Sequence, residues 1–321
     1  MNNLDNILVN FRHKCLNENL FLSENYQRYL SVHKGKEYKI KEYQIQQSGI
    51  PIYFMFTLVS KAISYFDFPI EIHVGKKLEF DAKLKIIKKF LKLQKNLVKN
   101  YTFSIGLSKN ELENKTLKKI NPKLITEQQI IDLNKTEDEI FKNFKSNLRY
   151  EINKTKKNID IKTKIIDKNN YSKNFILEMM ETHVNVSGRQ TRSKETWLIN
   201  EQMIMENQGF LSLVYYKSKA VSYSLFFYNH NTIYYFSSVT LREYFKLSGI
   251  SHLSLWEAIK FAKQKNIKNF NLGLTGYFYS REDCDITPKE KNIAFFKSRF
   301  SGIKKYKVII DQKSNIRIDK D

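Results

Sequence analysis

From Leu253 to Ala262 the chain is strongly apolar. Leu255, Ile259 and Ala262 recur at helical spacing with Trp256 beside them, which predicts a buried helix. Ser248-Gly249 supplies a turn before it, and Lys260, Lys263 and Lys265 load its last turns, where positive charge complements the helix dipole. Asn266 reads as a left-handed stop. Ile267, Phe270 and Leu272 then read as a strand ending at Gly273. A loop follows, then a segment carrying Lys297 between aromatic residues. Two readings are open: the core helix and strand of any α/β domain, or a helix N-terminus whose free N–H groups cradle an anion.

The same patterns extend along the chain. Leu4–Cys15 and Ser23–His33 read as short helices. Lys36–Gln46, Ile50–Ser60 and Phe66–Val74 read as extended segments, and Phe80–Val98 as a helix. In that helix Ile86, Phe90, Leu93 and Leu97 form one apolar stripe and Lys85, Lys88, Lys92 and Lys95 lie opposite. Tyr101–Ile105 is a strand and residues 106–125 a polar connector. Gln128–Leu133 is a strand. Thr136 then caps a long helix to about Asn158, with Glu139 at the capping-box position and Phe141, Phe144, Leu148 and Ile152 on its buried face. Ile159–Asp167 alternates as a strand, and Tyr171–Val184 and Thr196–Gln208 are helical. Phe210–Tyr216, Ala220–Tyr228 and Thr232–Thr240 form a three-strand meander, and residues 303–311 a last strand.

A family resemblance rests on an ordered set of segments. They are Leu255-Trp256-Glu257-Ala258-Ile259, Ala262-Lys263, Phe270-Asn271-Leu272-Gly273, and Phe296-Lys297 with Phe300 and Gly302. Together they resemble the C-terminal signature of the FemAB/FemX-like branch of the GNAT acyltransferase superfamily. The departures are Asn266 where Gly is usual, Asn271 where Asp is usual, and Arg299 and Ser301 at two glycine positions. The resemblance implies an α/β (α+β) fold of tandem GNAT-like domains, with mixed, mostly antiparallel sheets flanked by helices. It places a degenerate domain at 1–125 and the catalytic domain at 126–321.

Composition narrows the chemistry. The 321 residues are 41% hydrophobic and 14% aromatic, ample for packed cores. Two cysteines and six histidines without paired spacing argue against a disulfide framework or a metal site. The start is polar, and the most apolar run, Gly49–Phe66, is broken by Pro51 and Lys61. It reads as strand rather than membrane span. A reduced, cytoplasmic setting follows, with the inner face of the membrane as a further location. The net charge of +22 attracts polyanions: RNA, anionic lipid or phosphorylated precursors. The competing account is a lysine-rich composition without functional meaning.

Acyl transfer to an amine needs donor and acceptor in contact, a proton removed, and a developing oxyanion stabilised. By resemblance Lys297 points toward the reacting centre and Phe296 lines it. Glu181, His183 and Tyr223 are the proton-acceptor candidates, each weighed against an ordinary core or surface role. Arg149 and Lys154 read either as contacts to a phosphate-bearing substrate or as a solvated helix face. Arg189 and Arg192 occupy, by resemblance, the region that lines the acceptor site; the alternative is a surface turn. By resemblance, Ser237 and Ser238 would occupy the strand end where the acyl donor sits in GNAT domains. Lys246, Gly249 and Ser251 are the nearest match to the Q/R-x-x-G-x-G/A loop that holds acyl-CoA. The reading is therefore an acyltransferase using acyl-CoA as co-substrate. Its acceptor is an amine on a sugar or cell-envelope glycan precursor, in the form of a phosphorylated glycan or nucleotide-sugar. The alternatives are an aminoacyl-tRNA-dependent bridge ligase and a non-catalytic polyanion-binding protein.

Overall fold

The computed structural model describes residues 20–47, 50–59, 62–63, 71–73, 79–93, 100–172, 174–247 and 249–314. The helix expected over Leu4–Cys15, and Phe66–Val74 apart from its residues 71–73, lie outside that range. Residues 1–128, 274–294 and 304–321 form one compact unit; residues 129–273 and 295–303 form another. Two C-terminal segments thus belong with the N-terminal residues.

In the first unit α1 (Glu24–Lys34) starts at Ser23, whose side chain accepts from the Tyr26 N–H, and stops at Gly35 in the left-handed region. β1 (Tyr38–Gln47) and β2 (Ile50–Val59) pair antiparallel. The short β3 (Ala62–Ile63) and β4 (Glu71–His73) both pair with β2. α2 (Phe80–Leu93) buries Phe80, Leu84, Ile87 and Phe90 against the strands. β5 (Asn100–Leu107) lies between β3 and β12 (Ile303–Asp311), parallel to β3 and antiparallel to β12. The polar connector is more structured than expected. It holds a 3-10 turn, Asn110–Glu113, and α3, Lys115–Lys119. The Glu111 carboxylate accepts from the N–H groups of Phe80 and Ser108. β6 (Leu124–Asp132) already begins inside the connector's expected range.

The second unit opens with α4 (Glu137–Asn143). Its capping box is complete: the Thr136 side chain accepts from the Glu139 N–H, and the Glu139 carboxylate accepts from the Thr136 N–H. The expected single helix to Asn158 is instead two, because Phe144 is extended (φ −64°, ψ 151°) and α5 (Ser146–Lys156) starts afresh. Three contacts hold the break. The Phe144 ring meets Trp256 and Phe300 edge-on at 5.5 and 5.1 Å. The Lys145 N–H donates to Arg299 O at 3.1 Å. Arg149 Nη1 donates to the carbonyls of Lys142 and Phe144, capping the end of α4.

β7 (Ile161–Ile166), α6 (Asn174–Ser187) and α7 (Lys194–Met205) follow. Then come the expected meander, β8 (Gly209–Tyr216), β9 (Lys219–Asn229) and β10 (Thr232–Thr240), and α8 (Ile250–Gln264). Asn266 has φ 56°, the left-handed stop the sequence predicts. β11 (Asn269–Ser280) does not end at Gly273 but runs through it, and α9 (Pro288–Ser298) carries Lys297. The strand order of this unit is β6-β11-β10-β9-β8-β7. The β7-to-β10 pairings are antiparallel and β10–β11 is parallel.

α8 buries Leu253, Leu255, Trp256, Ala258, Ile259 and Ala262, each large apolar side chain contributing about 1.5–3 kcal/mol. Serines face it from the sheet. Ser212 Oγ donates to Ser254 O at 2.9 Å, Ser254 Oγ to Ser224 Oγ at 3.0 Å, and Thr240 Oγ1 lies 2.8 Å from Ser251 Oγ. Alternation then turns Tyr223 and Ser237 to the other face, under α6. Arg149→Ala is expected to lower the unfolding free energy by about 2 kcal/mol, because it uncaps the two carbonyls at the end of α4; urea titration checks this.

Candidate active site

β10 and β11 pair over only three residues, Thr232–Tyr234 against Asn269–Asn271, and then part. Each strand carries a local reason. In β10 the register against β9 shifts between Tyr235 and Ser237, so Phe236 is an extra, bulged residue. In β11 Gly273 sits at φ 73°, and its N–H donates to the Asn271 side chain at 2.7 Å. The result is a slot bounded by Tyr235–Thr240 on one side and Leu272–Gly273 on the other, where backbone groups leave their ladder.

Lys297 reaches this slot from α9. Its Nζ lies 5.3 Å from the centre of the Tyr235 ring, a cation–π distance. A Cβ at Gly273 would stand 3.3 Å from the same nitrogen, so the missing side chain makes room for the ammonium. Tyr235 donates to Ser238 Oγ at 2.5 Å. Phe296 stacks on His252 at 4.7 Å. Phe295, two residues before Lys297, is 64% exposed.

The other candidates separate by face. Under α6, Ser237 Oγ lies 3.3 Å from His183 Nε2, and the His183 ring meets Trp197 at 5.2 Å. Tyr223 donates to Glu178 Oε2 at 3.1 Å. Burial first and the Glu178 charge second hold its phenol above the usual range, so it rests as a proton donor. Glu181 on α6 is exposed. Arg192 stacks on Trp197 at 5.1 Å and near Phe236 at 6.0 Å, whereas Arg189 is exposed in the turn after α6. Lys154 is exposed on α5, and Arg149 serves the α4 carbonyls.

At the start of α8, Gly249 has φ 96° and no side chain caps the helix. Ser248 lies outside the described residues. A Cβ at Gly249 would stand 2.3 Å from Thr155 Oγ1 and 2.7 Å from Glu151 O, so the glycine lets α8 meet α5 at backbone contact. Ser251 turns toward Thr240. Lys246 is exposed.

One constellation was not anticipated from the sequence. Glu151 on α5 binds Arg299 Nη2 at 2.8 Å and lies 2.9 Å from His252 Nδ1; Arg299 Nη1 lies 3.3 Å from His252 Nε2. His252 and Arg299 are 8% and 9% exposed. Its signal was a histidine four residues before Trp256, on the apolar stripe of a buried helix, where a polar ring needs partners. Burial is the main cause that pushes the His252 pKa down to about 4; the Arg299 charge adds to this and Glu151 opposes it.

Comparisons with known proteins place this fold. No protein-family model and no curated protein matches the chain. FemX aligns over 96% of this chain and 96% of its own, at 12% identity and a TM-score of 0.59. L-PGS from Bacillus licheniformis aligns over 90% of this chain and 87% of its own, at 14% identity and a TM-score of 0.51. A tandem GNAT protein from the clavulanic acid biosynthesis pathway aligns at 9% identity over 85% and 83%, with a TM-score of 0.49. The chain thus shares the fold of FemX and L-PGS. No helix among the described residues is long and apolar enough to cross a membrane.

The buried histidine gives a pH test. Between about pH 6.5 and pH 4 the unfolded chain takes up a proton at this ring and the folded chain does not. Stability therefore falls with pH across that window, by about 3 kcal/mol from this group. Urea titrations at the two ends should show a loss smaller by that amount in His252→Asn than in the unsubstituted protein. Equal losses would mean that His252 titrates normally.

Proposed function

We propose that this protein is a transferase that moves an acyl group from acyl-CoA to an amine, with a phosphorylated glycan or nucleotide-sugar precursor as acceptor. The observation that carries this reading is the Lys297 ammonium, held beside the point where β10 and β11 part. An extended donor laid in the slot finds unpaired strand backbone. Its carbonyl, as it gains negative charge, then meets a fixed positive group whose place is set before reaction, the arrangement that lowers such barriers most. The uncapped first turn of α8 supplies N–H groups for the donor's phosphates. Under α6, His183 beside Ser237 is the proton acceptor of this reading, and Arg192 belongs to the acceptor side.

A second reading, with aminoacyl-tRNA as donor, is favoured by one surface. Lys154, Lys156, Lys162 and Lys164 are exposed on α5 and β7, with Lys157 at the C-cap of α5 and Tyr150, which is 66% exposed, on α5. Basic side chains interleaved with an aromatic ring suit a nucleic-acid backbone. The same surface is the place for contact with an anionic membrane face.

Thermal melting with acetyl-CoA and with aminoacylated tRNA, at low and high salt, separates these readings. Mass action predicts a rise in melting temperature with acetyl-CoA that changes little with salt. A rise with charged tRNA alone that vanishes at high salt moves the second reading to first place. No rise with either donor removes both. With a turning-over donor, Lys297→Ala should lower kcat by about 100-fold and leave the melting temperature unchanged; an unchanged kcat removes Lys297 from the mechanism.

A further inference from the structure

We propose that Glu151, His252 and Arg299 are positioning residues that lock the Phe296–Lys297 end of α9 to the first turn of α8, and so fix where the Lys297 ammonium stands. The proposal rests on the reading of Lys297 as the group that meets the transferred acyl carbonyl. Arg299 follows Lys297 by two residues, and His252 is the third residue of α8. Any rotation of the α9 end therefore moves Lys297 and must break the Arg299 contacts.

The three side chains form a closed ring of contacts with one consistent proton arrangement. A neutral imidazole protonated on Nδ1 sets that nitrogen 2.9 Å from Glu151 Oε2, a charge contact without hydrogen-bond alignment, and accepts from Arg299 Nη1 at its bare Nε2, 3.3 Å away. Glu151 Oε1 takes Arg299 Nη2 at 2.8 Å. A protonated imidazolium would turn an N–H toward the guanidinium N–H groups, two donors facing each other. Besides Glu151 and Arg299, the ring of His252 meets the aromatic rings of Phe296 and Phe300 at 4.7 and 5.9 Å. It is stacked on Phe296, the residue directly before Lys297, at 20°. The backbone closes the same joint. Phe300 N–H donates to Lys297 O and Lys145 N–H to Arg299 O, both at 3.1 Å.

Stability alone is a poor reason for such a cluster. A buried ion pair recovers little more than the cost of removing its charges from water, and apolar residues of like size often do as well. What the pair supplies is a direction. A guanidinium holds five N–H donors in a rigid plane, and here its Nη2 and Nη1 address Glu151 and His252 separately. Gly249 completes the brace, since only a residue without Cβ lets α8 approach Glu151 O.

The test reads Lys297 without needing turnover. Trace acetic anhydride labels lysines in the full-length protein in competition, and mass spectrometry gives each amine's reactivity across about pH 7 to 11. In Glu151→Gln, His252→Asn and Arg299→Lys, the labelling of Lys297 is expected to change by about threefold or more, with Lys135 and Lys260 unchanged. His252→Asn serves where the other two fail to fold. With a donor that turns over, His252→Asn should lower kcat by about tenfold at unchanged donor KM, and should add nothing in the Lys297→Ala background. Unchanged Lys297 labelling in every folded variant overturns the proposal. So does an equal kcat loss with and without Lys297, which marks a purely structural cluster. Failure of all donors would overturn the transferase reading instead, and the labelling would still decide the brace.

Discussion

The close approach of α8 to α5 is the constraint on which the second unit depends. The space that a Cβ on Gly249 would fill belongs to Thr155 Oγ1 and Glu151 O. That contact places His252 within reach of Glu151, and Glu151 within reach of Arg299. Arg299 in turn holds the end of α9, and its carbonyl takes the Lys145 N–H at the break between α4 and α5. One backbone-to-backbone contact thus ties four elements. The sheet side of α8 is prepared for the same closeness. Serines on β8 and β9 take up little space, and their hydroxyls are satisfied by α8 and by one another, so burying them carries no unpaired-group penalty.

Much of this was legible where the determinants are local. The Thr136 and Glu139 capping box, the left-handed Asn266 and the β8-to-β10 meander each follow from residues within one or two turns of each other. The break at Phe144 was not legible. The helical stripe of Phe141, Phe144, Leu148 and Ile152 is continuous in the sequence, and it is the distant Trp256, Phe300 and Arg299 O that draw Phe144 out of helix. The ion cluster escaped for the same reason: Glu151 and Arg299 are 148 residues apart. Gly273 misled in the opposite direction. A glycine after an apolar run reads as a strand end, yet here its positive φ bends a strand that goes on to Ser280.

The departures from the family signature acquire physical content. Arg299 stands where glycine is usual, and its guanidinium fills a buried site with two charged or polar partners. Ser301 stands where glycine is usual and keeps a left-handed backbone, φ 54°, at a cost in strain that a glycine would avoid. Gly302 is retained, and a Cβ there would stand 2.8 Å from Ile130 O. Glycine thus stands where backbone occupies the space a Cβ would fill, and side chains stand at the two neighbouring positions.

The division of candidate groups between the two faces of the sheet bears on how an amine would be used. Lys297 and Tyr235 lie on the α8 side, while His183, Ser237, Tyr223 and Glu178 lie under α6. An acceptor amine is protonated in neutral water and is repelled by the Lys297 ammonium. The α6 face instead presents the Glu178 carboxylate and the His183 imidazole. β10 and β11 are no longer paired beyond Tyr234 and Asn271, so no β10–β11 ladder runs between the Ser237 side and the Lys297 side at that level. Under the transferase reading, the bulge at Phe236 and the turn at Gly273 are then parts of the chemistry. They end the β10–β11 ladder between the Lys297 side and the Ser237 side of the sheet.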